Sequence, residues 1–313
     1  MSIPAFPKIF NLGDKNLERL FIGEVEITEK IDGSQIAFGR VNGNLFIRSK
    51  GAVIKDENGW VRVITESDLF YPAIQHIERI KNILPDDVVF YGETLAKPKH
   101  NTLKYDYIPK NHIALFGILY THPTFNWATK YKELTTLAYL LDVDVVPLIT
   151  TIEGGHITPQ LINSFLDAES YLGGAKIEGV VIKNYNEQLL IGGQVLPILC
   201  GKYVSEAFKE VHRKNWSSEN TSGGKYQKFL DSFRTEARWQ KAIQYVRDKG
   251  ELTNTPKDIG NLIKVIGDDI VEEEKEYIKE QLFKLYSNDI TRNAIKGFPE
   301  WYKQQLMESQ FEN

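Results

Sequence analysis

A single cysteine, Cys200, among 313 residues excludes an intramolecular disulfide framework and a cysteine-rich zinc site. No apolar run approaches the ~20 residues needed to span a bilayer. The N-terminus also lacks the basic, apolar, then small-residue succession of a secretory signal. These absences make a reducing cytoplasm the expected location and leave no membrane to expect as a partner. Charge of one sign is missing too: 38 Lys and Arg stand against 42 Asp and Glu, for a formal net charge of −4. That balance does not announce nucleic-acid binding, nor does it exclude it, because a local basic groove can sit on an acidic protein. The six histidines form no His-Glu-x-x-His zinc pattern, and there is no internal repeat. Phosphate loops are mimicked only at their ends. Gly201-Lys202 and Gly224-Lys225 are each followed by tyrosine, and Leu196 and Glu219 stand where the earlier glycine is needed.

What is present is ordinary globular material, 42% hydrophobic and 26% charged, and long enough for two domains. Residues 22–205 are rich in strand signals. Gln35–Val41 and Asn44–Arg48 flank Asn42-Gly43, a strong hairpin signal. Further strands are expected at Val88–Tyr91, Ile113–Tyr120, Val143–Ile152, Gly179–Lys183 and Val195–Val204, with helices near Tyr71–Asn82, Lys130–Leu141 and Pro159–Tyr171. This mixture predicts an α+β domain built on antiparallel sheets, over residues 1–215. Residues 216–225 read as a polar, glycine-rich linker. Beyond it Trp239, Ala242, Ile243 and Val246, then Ile259, Leu262, Ile263 and Ile266, recur at helical spacing. Thr255-Pro256-Lys257-Asp258 supplies a helix start and Gly267 a helix stop, so residues 226–313 are expected to form a small all-helical domain. Arg234, Arg238, Lys241 and Arg247 around the Trp239 face are either a phosphate-contacting surface or solvated charge on an amphipathic helix.

The most informative stretch is Glu29-Lys30-Ile31-Asp32-Gly33-Ser34. It places a lysine at the end of an alternating strand, a carboxylate two residues on, and a glycine that opens the backbone. A lysine so placed suits nucleophilic attack on a phosphate, provided its amine is neutral. Other strings with site chemistry follow in order: Ser49-Lys50-Gly51, Tyr91-Gly92-Glu93, Glu178 to Lys183, and Gly201-Lys202, with Phe116 in an apolar strand.

In order and chemistry these five strings resemble the covalent nucleotidyltransferases, the superfamily of ATP-dependent polynucleotide ligases and mRNA capping enzymes. The resemblance is closest to ATP-dependent RNA ligases of the RNA ligase 2 type, and it covers the first two-thirds of the chain. It implies an ATP-grasp-like ligase fold, and a reaction that adenylates Lys30, passes AMP to an RNA 5′-phosphate and seals it to a 3′-hydroxyl. It implies ATP and Mg²⁺ as cofactors, with Mn²⁺ able to substitute, and RNA ends (a nicked duplex or a broken RNA) as partner, with no protein partner evident. Asp32, Glu93 and Glu178 are candidates to hold the ribose hydroxyls or Mg²⁺ through water; the family roles would give Glu93 the ribose, Glu178 the metal shell and Phe116 the adenine. Glu29 and Gly33 would lie against the nucleotide. Lys50, Lys183 and Lys202 would carry positive charge to the phosphates, and the field of Lys183 and Lys202 would depress the Lys30 pKa. Two positions depart from the family pattern: Lys50 stands where an arginine is common, and Cys200 where a first lysine is common. A DNA ligase, a capping guanylyltransferase and a non-catalytic RNA-end-binding protein remain as alternatives. The helical reading of residues 226–313, where those two enzymes usually carry a β-barrel, favours RNA ligase.

Overall fold

The computed structural model describes residues 2–122, 126–127, 131–191, 194–204 and 225–311. Its strands in chain order are β1 (Ile9–Asn11), β2 (Glu24–Lys30), β3 (Ser34–Val41), β4 (Asn44–Ser49), β5 (Val53–Asp56), β6 (Gly59–Trp60), β7 (Val88–Thr94) and β8 (Ile113–Tyr120). They continue as β9 (Asn126–Trp127), β10 (Asp144–Val145), β11 (Leu148–Glu153), β12 (Gly179–Asn184), β13 (Leu189–Ile191), β14 (Gln194–Leu196) and β15 (Leu199–Val204). The helices are α1 (Tyr71–Ile80), α2 (Tyr131–Leu140), α3 (Pro159–Phe165), α4 (Lys225–Asp231), α5 (Glu236–Asp248), α6 (Ile259–Ala294) and α7 (Phe298–Phe311).

Asn42 and Gly43 turn the chain with φ of 50° and 77°, the left-handed pair that a tight hairpin between β3 and β4 requires. That hairpin lies inside a sheet ordered β10-β8-β7-β3-β4-β5-β6, with β9 beside β8. A second sheet runs β1-β15-β12-β2-β11. Pairing is antiparallel except for β1 with β15 and β10 with β8, so the fold is α+β with antiparallel-dominated sheets and a C-terminal helical region.

Alternation sorts the side chains to two faces of each sheet. One face of the larger sheet, through Ile36, Phe38, Ile47 and Phe90, packs under Ala73, Ile74 and Ile77 of α1 and Leu134 and Ala138 of α2. One face of the smaller sheet, through Val25, Ile27, Val180 and Ile182, is covered by Ile162 of α3 with Leu17 and Leu20. The remaining faces meet each other: Ala37, Val89 and Tyr91 of the larger sheet share a cluster with Cys200 of the smaller one. Each fully buried aliphatic or aromatic side chain contributes roughly 1.5–3 kcal/mol. The apolar clusters therefore fix the seam between the sheets, where the polar strand ends lie.

Two expected strands are interrupted at proline, which cannot donate to a ladder. Val143–Ile152 divides at Pro147 into β10 and β11, which belong to different sheets, and Val195–Val204 divides at Pro197 into β14 and β15. The Thr255–Asp258 start forms as a capping box. Gly267 does not end the helix that follows, which runs on to Ala294. A helical glycine costs about 1 kcal/mol against alanine, which a 36-residue helix absorbs. The chain separates into two compact units, one of Met1–Ser217 with Thr235–Ile266, the other of Ser218–Arg234 with Gly267–Asn313. The first unit thus includes α5, which lies beyond the composition break at 216–224; that polar stretch itself lies outside the described residues. Within the second unit Phe229 and Phe233 pack edge to face at 5.0 Å and both meet Tyr277. Among the described residues no helix is long and apolar enough to cross a membrane.

Candidate active site

Strand register brings the predicted lysines to one face. Lys30 lies opposite Gly179, Thr28 opposite Val181, and Glu26 opposite Lys183. On the other side of β12, Val181 lies opposite Lys202 and Lys183 opposite Cys200. Cross-strand partners share a face, as do residues two apart on one strand. Lys30, Lys183, Lys202, Glu26 and Cys200 therefore all project from the face turned toward the larger sheet. Glu29, one residue from the nucleophile candidate, projects from the other face. There it accepts from Ser170 Oγ at 2.5 Å and from the Tyr171 amide at 3.3 Å, so it anchors the 170–171 loop.

The turn after Lys30 is held by a loop some seventy residues later. Asp32 Oδ2 accepts from the amides of Thr102 and Leu103 at 2.8 and 2.7 Å, and the Asp32 amide donates to Tyr105 Oη at 2.9 Å. Gly33 fits only because it has no side chain: a Cβ there would lie 2.7 Å from Glu93 Cγ and 2.8 Å from the Thr94 carbonyl. The Gly33 carbonyl accepts from Asn101 Nδ2 at 2.7 Å. Ser34 Oγ meets His100 Nε2 at 2.8 Å, and His100 Nδ1 accepts from the Ala96 amide. Burial holds this imidazole down at about 4, so it stays neutral.

Lys30 Nζ donates to Glu178 Oε2 at 2.6 Å, with Glu178 7% and Lys30 27% exposed. Burial by itself lowers the ammonium. The charges of Glu178 and Glu93, the Glu178 hydrogen bond and the charge of Asp32 outweigh it, and Lys30 is held above the ordinary lysine value. This overturns the expected depression: carboxylates, not lysines, dominate the field at Lys30. Burial also pushes up Glu178 and Glu93, with Lys30 pulling each part of the way back, and Glu93 reaches about 8. Lys202 acts on Glu178 as a second cation.

The depressed lysine is Lys183, lowered by burial against the opposing charges of Cys200 and Glu26. Its Nζ donates to the Phe116 carbonyl at 2.6 Å and lies 5.8 Å from that ring, which meets Phe6 edge to face. Lys50 is exposed at the end of β4, and its charge acts on Asp248 of α5. Arg48 donates to the Ile3 carbonyl at 2.9 Å and holds the N-terminal segment. The structure thus gathers Lys30, Asp32, Gly33, Glu93, Glu178 and Lys202, sets Lys183 with Phe116 further along the same face, and turns Glu29 away. His100, Asn101 and Tyr105 carry no motif that marks them in sequence.

Among the described residues no three His, Cys, Asp or Glu are arranged to hold a metal by themselves. The oxygen donors nonetheless suit Mg²⁺, which takes one or two carboxylates and completes its shell with waters and substrate phosphates. The raised Glu93 also has a consequence for stability. Its folded-state value lies above the unfolded one of 4.5, so its contribution is full below that value and is lost as pH rises toward about 8. Glu93→Gln removes that loss and should raise Tm at pH 8 by about 2–4 °C, the shift expected for roughly 1 kcal/mol. A thermal melt checks this, and an unchanged or lower Tm would refute it.

A family model described as RNA ligase matches residues 23–204. A comparison with curated proteins found no match. Solved structures that align include the Naegleria gruberi RNA ligase with PPi, at 19% identity over 67% of this chain and 58% of that one, with a TM-score of 0.48. An apo variant of the same ligase aligns at 18% identity over 67% and 59%, with a TM-score of 0.50. The chain spans less than two-thirds of the length of these neighbours, and at 18% identity the likeness to the apo variant concerns the fold alone.

Proposed function

The chain belongs to the RNA ligase family, and on that premise we propose that it joins RNA 3′-hydroxyl and 5′-phosphate ends with ATP and Mg²⁺. The observation that carries this reading is Lys30, set at a strand end against Glu178, under the charge of Glu93 and Asp32, and on one face with Lys202. In the first step the Lys30 amine attacks the ATP α-phosphorus; the N–P bond forms as the bond to pyrophosphate breaks. The amine must first give up a proton to solvent, because Glu178 Oε2, 2.6 Å away, accepts from the ammonium and stabilises it in the resting enzyme. A divalent cation, which we assign to Glu178, would supply positive charge to the triphosphate oxygens. Lys202 adds fixed charge on the same face, and Glu93 is the carboxylate we assign to the ribose hydroxyls. In the second step an RNA 5′-phosphate oxygen displaces Lys30 from the AMP phosphorus. In the third, a 3′-hydroxyl attacks the activated 5′-phosphate and AMP leaves.

Incubation with ATP labelled at the α-phosphate should give labelled protein on a denaturing gel, and chasing with a 5′-phosphorylated nicked RNA should move the label to RNA. Labelling from GTP in place of ATP would support the capping reading. Failure to label with either would overturn covalent nucleotidyl transfer.

A further inference from the structure

Gln244 lies on α5, more than two hundred residues from Lys30, yet its Nε2 donates to the Gly33 carbonyl at 2.9 Å and to Ser34 Oγ at 2.8 Å. The helix that carries it is fixed at several points. Thr235 caps its start by accepting from the Arg238 amide, and Ala242 and Val246 are buried. Ser49 Oγ donates to the Asp248 carbonyl at 3.1 Å, and Tyr245 and Lys249 close on Gly51. Helix α5 therefore touches two of the strings singled out in the sequence, Lys30 to Ser34 and Ser49 to Gly51.

We propose that Gln244 is a positioning residue for self-adenylation, through which α5 fixes the turn that follows the nucleophile. The proposal rests on the ligase reading above. The Gly33 carbonyl is gripped by Gln244 and Asn101, and the Gly33 backbone packs so closely on Glu93 that a Cβ there would lie 2.7 Å from Glu93 Cγ. Gly33 is thus the link between α5 and a carboxylate whose charge acts on Lys30. Without Gln244 the turn keeps Asn101 and the Asp32 anchors, so the fold persists. What it loses is the restraint on where Gly33, and with it Glu93, sits relative to the amine. Misplacement of about 1 Å can cost on the order of a hundredfold in rate, and loss of one of several restraints should cost about tenfold.

The test uses the full chain with Gln244→Met, which keeps the length of the side chain and removes its donors, and Gln244→Glu as a second donor-free variant. Self-labelling from α-labelled ATP is read in single turnovers across ATP concentrations, beside thermal melts. The expected result is a rate at saturating ATP about tenfold below wild type, with the half-saturating ATP concentration within about twofold and melting within a few degrees. A merely structural role would lower the melting temperature and leave the saturated rate alone. Wild-type saturated rate in either folded variant overturns the proposal. A wild-type protein that takes no label at all would instead overturn the ligase reading on which it rests.

Discussion

Lys30→Ala is expected to take no label from ATP at any pH, and to melt below the wild type by a margin that widens as pH rises. Among the described residues no other amine on the site's face is placed to replace it. Lys183 Nζ is held by the Phe116 carbonyl, and Lys202 stands on β15, two strands and so roughly 10 Å from β2. The stability effect follows from the charges. Lys30 is raised in the folded state, so its contribution is fully present below its unfolded value and lost only above its folded one. Across pH 6 to 9 the wild type keeps all of it and the variant none. Removing one partner of a buried pair costs about 3–5 kcal/mol; with Lys30 27% exposed, about 1–3 kcal/mol is the expectation. At acid pH Glu178 and Glu93 protonate and the uncompensated charge disappears, so the deficit shrinks. Denaturing gels and melts at about pH 5.5 and 8.5 check both halves. Retained label in a folded Lys30→Ala protein would end the assignment of the nucleophile, and an equal melting deficit at both pH values would end the account of the carboxylates.

The second large effect is on the pH profile. For wild-type self-labelling, kcat/KM should climb roughly tenfold per unit from about pH 7 to 9.5 with no plateau, because it reports the free enzyme and the attacking amine is the minor form there. Glu178 is the largest of the influences that raise Lys30. Glu178→Gln removes both its charge and its acceptance of the lysine proton, so the rise should bend to a plateau at lower pH even as the overall rate falls. Rates under a fixed excess of divalent cation, taken pH by pH, decide it. A wild-type plateau below about pH 8 would mean that the amine is already free in the resting enzyme.

Much of this was legible in the sequence, and where it was not the reasons are physical. Local alternation and the Asn42-Gly43 turn carry strand identity, because period and backbone conformation are properties of neighbours. The order of Lys30, Glu93 and Glu178 along the chain anticipates their meeting, since each stands at or beside a strand end at the seam. Pro147 and Pro197 could have been read as breaks, but their apolar flanks masked them. Gly267 misled because a glycine marks a helix end only where the backbone turns left-handed, and here it does not. The sign of the Lys30 shift was beyond reach, because a sum of opposing charges is decided by distance and burial. Asp32 in its role as an anchor, and Gln244 on its distant helix, leave no trace at all, for each binds backbone groups that every residue possesses, and only Ser34 Oγ adds a side-chain partner to Gln244.

The tight seat of Gly33 reaches back to the gene. Every change at the first or second base of a glycine codon that yields another amino acid adds a β-carbon, and at Gly33 that atom would meet the Thr94 carbonyl and Glu93. Point variation at this codon therefore has no gentle intermediate: third-base changes are silent, and the rest strike the turn that follows Lys30. A library built by random copying errors should lose this codon's missense variants under selection for sealing, whatever the chemistry of the incoming side chain.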